Sequence, residues 1–314
     1  QAVTDLCKSF CELQLCNPVE LDHEDRQTFW LNVLNACTLA WVCATEPQRL
    51  QSNLFPMHVW LSFLQKNLVN IAGQLFSLME IEHNILRAQS KAPKFGWIFQ
   101  GQKCCKCEAK SRIALEHSAP EVSFGIFYPF RFGCPKLQVY YPQVLRDQLL
   151  LNCAQHLVET VTVELKKRRV TLPPLLKYYA QDFGGGTALL EFVQSTLEAA
   201  PQLLEDVALE GRPLSDTEHH LAMEAPKKAA MLEHLMKDGD FGAATVCFSD
   251  FDWRLDLDFP AAGCYELEAL LEVAREKKMK VAPPPGRPPA SQPQDLRQRR
   301  FVQIDTETEA AFRV

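Results

Sequence analysis

No run of this sequence is both long and apolar enough to cross a bilayer. The nearest, 28–44, contains two Asn and two Trp and falls short of the roughly 20 residues a spanning helix needs. No basic-then-apolar segment of the secretory kind opens the sequence. The first residue is Gln1 rather than Met, which fits a fragment or a processed product. Excess positive charge is lacking as well: 33 Lys and Arg stand against 39 Asp and Glu, a net charge of −6. That balance argues against a nucleic-acid binder working through general charge. We therefore expect no membrane span and no nucleic-acid partner.

Complete metal motifs are also missing. Cys104 and Cys107 have the spacing of half a tetrahedral zinc site, but no second C-x-x-C or H-x-x-x-H follows, and His117 is the only nearby imidazole. A structural or reactive thiol cluster is the plainer reading. Asp252, Asp256 and Asp258 lack the glycine and terminal Glu of a calcium loop, and their strict alternation with apolar residues fits a solvated strand face. His219 and His220 are adjacent, and neighbours on a helix do not face one site. No metal and no cofactor are expected.

What is present is apolar material and cysteine. Hydrophobic residues make up 47% of the 314, enough for a sizeable core. The twelve cysteines are scattered, several inside apolar helix patterns. With no signal segment, this usage points to a reducing compartment, and we expect the cytoplasm.

The pattern predicts a short amphipathic helix over 4–15, stopped by Asn17-Pro18. Asp22 then caps a helix over 24–44. From Thr28 to Thr45 this helix carries no charge, and its apolar side chains run nearly all the way round except for a stripe of Thr28, Asn32 and Asn35. Such a helix is central and buried. Its amides either tie it to neighbouring backbone or serve a polar site. Over 48–70 Pro56 interrupts, then Trp60, Phe63 and Leu64 suggest a further helical turn or two, and 71–74 reads as a turn or short extended piece. Ser77-x-x-Glu80 is a capping box that opens a helix with Leu78, Ile81, Ile85 and Leu86 on its apolar face. Glu82 projects into that face and needs a cation or several donors. His83 and Arg87 lie toward the polar side and read as surface or rim residues.

Glu121 to Tyr141 organises the remainder. Val122, Phe124 and Ile126 alternate, as do Leu137, Val139 and Tyr141, predicting two strands joined through Gly133-Cys134-Pro135. A helix over 144–159 follows, then a hairpin over 161–172 with Lys166 to Arg169 at its tip. Short helices are expected over 175–179 and 188–197, and a helical excursion over 198–242 with a second capping box, Ser215-x-x-Glu218. Phe251 to Phe259 reads as a strand, 265–280 as a helix, and 282–314 as a Pro-rich extended tail. The fold class predicted is α+β: a single large domain over 1–260, with a central, mainly antiparallel sheet packed by buried helices. The insertion at 198–242, the helix over 261–281 and the tail complete the division.

Five segments in order resemble the family known as domain of unknown function 547. They are Phe29 to Ala36, Ile81 to Arg87, Ser123 to Tyr141, Leu172 to Phe183, and Phe251 to Leu255. The resemblance implies an α+β domain. It also implies, from many bacterial members, a His five residues after Asn35 and another at the start of the strand that leads to Cys134. Here those positions hold Ala40 and Ser123, and Leu34 stands where Tyr is usual.

Two functions compete. One is a non-catalytic interaction or scaffold domain with a protein partner, an eroded module of a larger protein. The other is a cysteine-dependent hydrolase or acyl transferase. In it Cys134 is the nucleophile, His83 or His117 the base, Asn32 or Asn35 the orienting group, and Glu82 a neighbour. The missing family imidazoles favour the first.

Overall fold

The computed structural model describes residues 9–43, 56–88, 112–117, 119–134, 137–209, 211–237 and 245–256. Helix α1 (His23–Cys43) forms as its sequence requires. Oδ1 of Asp22 accepts the Asp25 N–H at 2.9 Å, and Glu24 and Asp25 place negative charge in the first turn. Trp30, Leu31, Leu34 and Cys37 are buried around its circumference. Pro56 does not interrupt a helix but begins one, α2 (Pro56–Lys66), where its missing N–H costs nothing. Trp60, Leu61, Phe63 and Leu64 bury the inner face of α2.

Strands β1 (Leu68–Ile71) and β2 (Gln74–Ser77) then pair as an antiparallel hairpin. Ala72 and Gly73 turn it with φ of 52° and 74°, the left-handed pair whose twist matches that of the strands. Ser77 and Glu80 make the capping box. The helix it opens is not regular. One α-helical turn, α3 (Leu78–Glu80), passes into a π-helical stretch, Ile81–Leu86, whose i→i+5 pattern closes with the Arg87 N–H on the Glu82 carbonyl at 3.2 Å.

Among the described residues of 121–141 the two expected strands do not form. Pro120–Phe124 is a 3₁₀ turn, and beyond it the chain runs without a ladder apart from one bridge, Phe130 to Leu255. Side-chain amides replace the missing strand partners. Asn35 donates to the Gly125 carbonyl at 2.8 Å and accepts the Phe127 N–H at 2.9 Å. Asn32 does the same for both backbone groups of Tyr140, at 2.9 Å each. On its other side Gln148 accepts from the Tyr141 N–H and donates to the Val139 carbonyl. Held this way, the second half faces opposite to its predicted phase: Tyr140 is buried, while Leu137, Val139 and Tyr141 are exposed.

Helix α4 (Leu145–Thr160) matches its apolar repeat. The hairpin of β3 (Thr162–Glu164) and β4 (Arg169–Leu172) turns at left-handed Arg168 within the basic tip. Short α5 (Pro174–Tyr178) follows. Gly184, Gly185 and Gly186 all have positive φ and swing the chain into the next helix. That helix, α6 (Gly186–Leu209), runs past the expected stop at 197 and through Pro201. Leu197, Ala200 and Leu204 keep an unbroken buried face there, and packing outweighs the lost hydrogen bond. The second capping box opens α7 (Asp216–Lys237). Its Leu221, Ala225, Ala229 and Leu232 join the same apolar core as α4 and α6. Lys228 Nζ reaches the Val158 carbonyl at 2.6 Å, and the Val161 carbonyl, at the end of α4.

Strand β5 (Thr245–Phe248), absent from the sequence expectation, lies parallel to β4 in a sheet of order β3-β4-β5. Residues 251–256 make no ladder beyond the bridge to Phe130, although Phe251, Trp253 and Leu255 do turn together toward the core. The architecture is α+β; among the described residues the strands gather in two small sheets and the helices carry the core. The expected elements at 265–280 and 282–314 lie outside the described residues. Among the described residues no helix is long and apolar enough to cross a membrane.

Candidate functional site

The π turn decides the site. An i→i+5 turn is wider than an α turn, so side chains after Ile81 depart from the α-helical phase. His83 and Arg87, read as rim residues from that phase, are buried instead, Arg87 to 1% exposure. Asn84 alone of this turn is partly open. Glu82, at 2% exposure, is fully committed to the interior.

Glu82 does find donors, and they are phenols. Its Oε1 accepts from Tyr128 Oη at 2.9 Å and from Tyr179 Oη, and the two hydroxyls lie 2.9 Å apart. Burial first, and the Glu82 charge next, push both phenols well above the usual tyrosine range, which keeps them protonated as donors. The nearby cation belongs elsewhere. Arg87 donates to Asp182 from Nε and Nη2, at 2.8 and 2.7 Å, a two-point ion pair. Its third nitrogen, Nη1, lies 3.2 Å from His83 Nδ1, and its guanidinium sits 4.6 Å above the Tyr179 ring. Burial is the largest influence on Arg87 and opposes its charge, but the Asp182 hydrogen bond and the neighbouring Tyr179, Asp182 and Glu82 together outweigh it and raise its pKa.

This geometry fixes the state of His83. An arginine can only donate, so Nδ1 is the acceptor and Nε2 carries the proton. Burial lowers the His83 pKa more than Glu82 raises it. Its Nε2 lies 4.0 Å from Glu82 Oε1.

Glu82 and His83 line a cleft under α2 whose other walls are mainly aromatic: Trp60, Tyr128, Phe132, Tyr178, Phe251 and Trp253 among them. Counting its open mouth, the cleft holds about 410 Å³, of which only about 30 Å³ can take the centre of a water molecule. Gly133 positions one wall. A Cβ there would meet Tyr128 Cβ at 2.6 Å and its carbonyl oxygen at 3.0 Å.

The other predicted residues stand apart from the cleft. Cys134 is buried and its Sγ lies 3.7 Å from the Asn152 carbonyl on α4; it does not line the cleft. Asn32 and Asn35 hold the backbone at Tyr140 and at Gly125 to Phe127. His117 is exposed and stacks on His23 at 4.1 Å. Ala40 and Ser123, where the family resemblance implies imidazoles, are both buried. His219 and His220 are exposed. Cys104 and Cys107 lie outside the described residues.

Sequence reasoning missed Tyr128, Tyr179 and Asp182. One signal existed: a buried carboxylate demands donors, and Tyr179 and Asp182 flank the end of a short apolar helix.

Residues 18–157 match the model of a family described as "Protein of unknown function, DUF547". The match takes in α1, the π turn, Tyr128, Cys134 and most of α4, and stops before Tyr179 and Asp182. No curated protein and no solved structure matches the chain.

Proposed function

With residues 18–157 belonging to the DUF547 family, whose description assigns no activity, we propose that this chain is a non-catalytic interaction domain. Its Glu82 cleft binds a group without breaking a bond. The observation that carries this reading is the separation of the parts. The carboxylate and imidazole share a cleft that, among the described residues, no cysteine, serine or threonine lines, while Cys134 is packed against the Asn152 carbonyl. A thiol acts as a nucleophile only as an accessible thiolate beside a base or a positive neighbour. Oε1 of Glu82 and Nδ1 of His83 are already engaged by Tyr128, Tyr179 and Arg87. The cleft opens on aromatic surface of the kind that dominates protein interfaces, and a protein partner is the class we assign to it. Cys11, Cys16, Cys37, Cys153 and Cys247 are in no disulfide, which supports a reducing compartment, the cytoplasm.

The test is site-resolved thiol alkylation of the folded protein across pH, read by mass spectrometry. Exposed Cys11 should react first, with Cys134 protected at every pH that keeps the fold. Rapid alkylation of Cys134 with an apparent pKa below those of the other thiols would overturn the proposal in favour of a Cys134-dependent hydrolase or acyl transferase.

A further inference from the structure

The charges of the buried network do not cancel at the cleft. Arg87 is matched by Asp182 through two hydrogen bonds. His83, accepting from Arg87 at Nδ1, is the neutral imidazole. Among the described residues Glu82 is left with two neutral phenols as donors, and both fall on Oε1. Among the described residues no hydrogen bond reaches its Oε2. A carboxylate so buried, lining an open cleft, is hydrogen-bonded to no cation among the described residues.

The walls specify what kind of cation. Rings in several planes bound the space: Phe132 meets Phe251 at 87° and Trp253 at 68°, and Tyr178 meets Phe251 at 90°. Aromatic faces attract cations through their quadrupole, tryptophan most strongly. A metal ion is a poor fit, because hard cations need six or more oxygens, and the described residues hold no group of three or more metal-binding side chains. A primary ammonium carries three N–H donors that need acceptors, and the lining offers few. An alkylated ammonium needs none. The small inner volume, about 30 Å³ for water centres, suits such a headgroup and excludes a nucleotide-sized ligand.

Resting on the interaction-domain reading, we infer that the Glu82 cleft receives a methylated ammonium group, with Glu82 as counter-ion and Trp60, Tyr128 and Trp253 as its aromatic walls. The group can come from a free small molecule or from a methylated lysine side chain.

The experiment titrates the full chain, labelled with ¹⁵N, with choline and, in a second arm, with trimethyl-lysine amide. The indole N–H resonances are assigned through single Trp→Phe variants. A neutral isostere of choline, 3,3-dimethylbutan-1-ol, is the control, at constant ionic strength. Choline should shift the Trp60 and Trp253 signals and leave Trp30 and Trp41 in place, while the isostere shifts neither. Stronger binding in the second arm assigns the group to a lysine side chain, and equal or weaker binding to a free molecule. Glu82→Gln, which keeps an acceptor for both tyrosines, should weaken choline at least roughly tenfold; should that variant not fold, Trp253→Leu takes its place. Equal response to the isostere would overturn the inference in favour of an apolar ligand. Absence of any shift at Trp60 and Trp253, or full choline binding by Glu82→Gln, would overturn it too. None of these outcomes alters the alkylation behaviour of Cys134, so this inference and the non-catalytic reading fail separately.

Discussion

Arg87 and Asp182 lie 95 positions apart in the chain and are joined by hydrogen bonds of 2.8 and 2.7 Å. The pair fastens the π turn to the loop between α5 and α6, and it commits a cation near Glu82 to a different carboxylate. The Arg87 side chain is 1% exposed and that of Asp182 11%, so each leaves the other stranded if removed. Arg87→Met should therefore cost about 3–5 kcal/mol, the range for breaking a buried ion pair by deleting one partner. Arg87→Lys should recover only part of this, because an ammonium cannot make the two-point contact. Urea denaturation of the two variants against the native chain measures both.

The amide anchors on α1 give a graded expectation. Asn35→Ala strips partners from the Gly125 carbonyl and the Phe127 N–H. Each buried orphan costs about 1–3 kcal/mol. Asn32→Ala removes the same kind of contact at Tyr140, but Asn32 is half-buried and water can replace part of what is lost. Denaturation midpoints should fall further for Asn35→Ala than for Asn32→Ala, and exchange of the Phe127 and Tyr140 amides should quicken only in the matching variant.

What could be read from the sequence follows the range of the interactions. Both capping boxes, the buried character of α1, the hairpin at 162–172 and the apolar repeat of α4 are local patterns, and each forms as written. The burial of Glu82 was legible for the same reason. Its donors were not, since Tyr128 and Tyr179 are 46 and 97 positions away. The π turn leaves no periodic signature, which is why His83 and Arg87 were assigned to the wrong side. The alternation in 121–141 suggested strands because it records burial, not the identity of the hydrogen-bond partner, and here the partners are Asn32, Asn35 and Gln148. Strand β5 is too short to announce itself by alternation.

Gly133 makes a sharper test of the cleft wall. A methyl at this position would press on Tyr128 Cβ at 2.6 Å, and neither the Tyr128 backbone nor its ring can retreat without disturbing the hydrogen bond to Glu82. Gly133→Ala should destabilise by about 1–3 kcal/mol, the usual cost of overpacking. Tyr128→Phe, which removes only the hydroxyl, should cost less. The order of the two midpoints in guanidinium checks this, and the reverse order would mean that the wall yields easily.

His156 sets an acid limit on the fold. It is buried on α4 beside Phe124, and its Nε2 has no hydrogen-bond partner among the described residues. Burial lowers its pKa from 6.5 to about 4. A folded-state pKa below the unfolded one means that the unfolded chain takes up the proton first. Stability is therefore complete above pH 6.5 and is lost as pH falls through the window down to about 4. The lost free energy is roughly 3 kcal/mol at full protonation. His83, also lowered by burial, adds to the slope in the same direction. Replacing His156 with Leu, close in volume and without a titrating group, should flatten this part of the profile and leave the His83 contribution. Denaturation free energies at pH 7, 5.5 and 4 for the native chain and His156→Leu measure the difference. An unchanged slope in the variant would assign the acid sensitivity to His83 and the carboxylates instead.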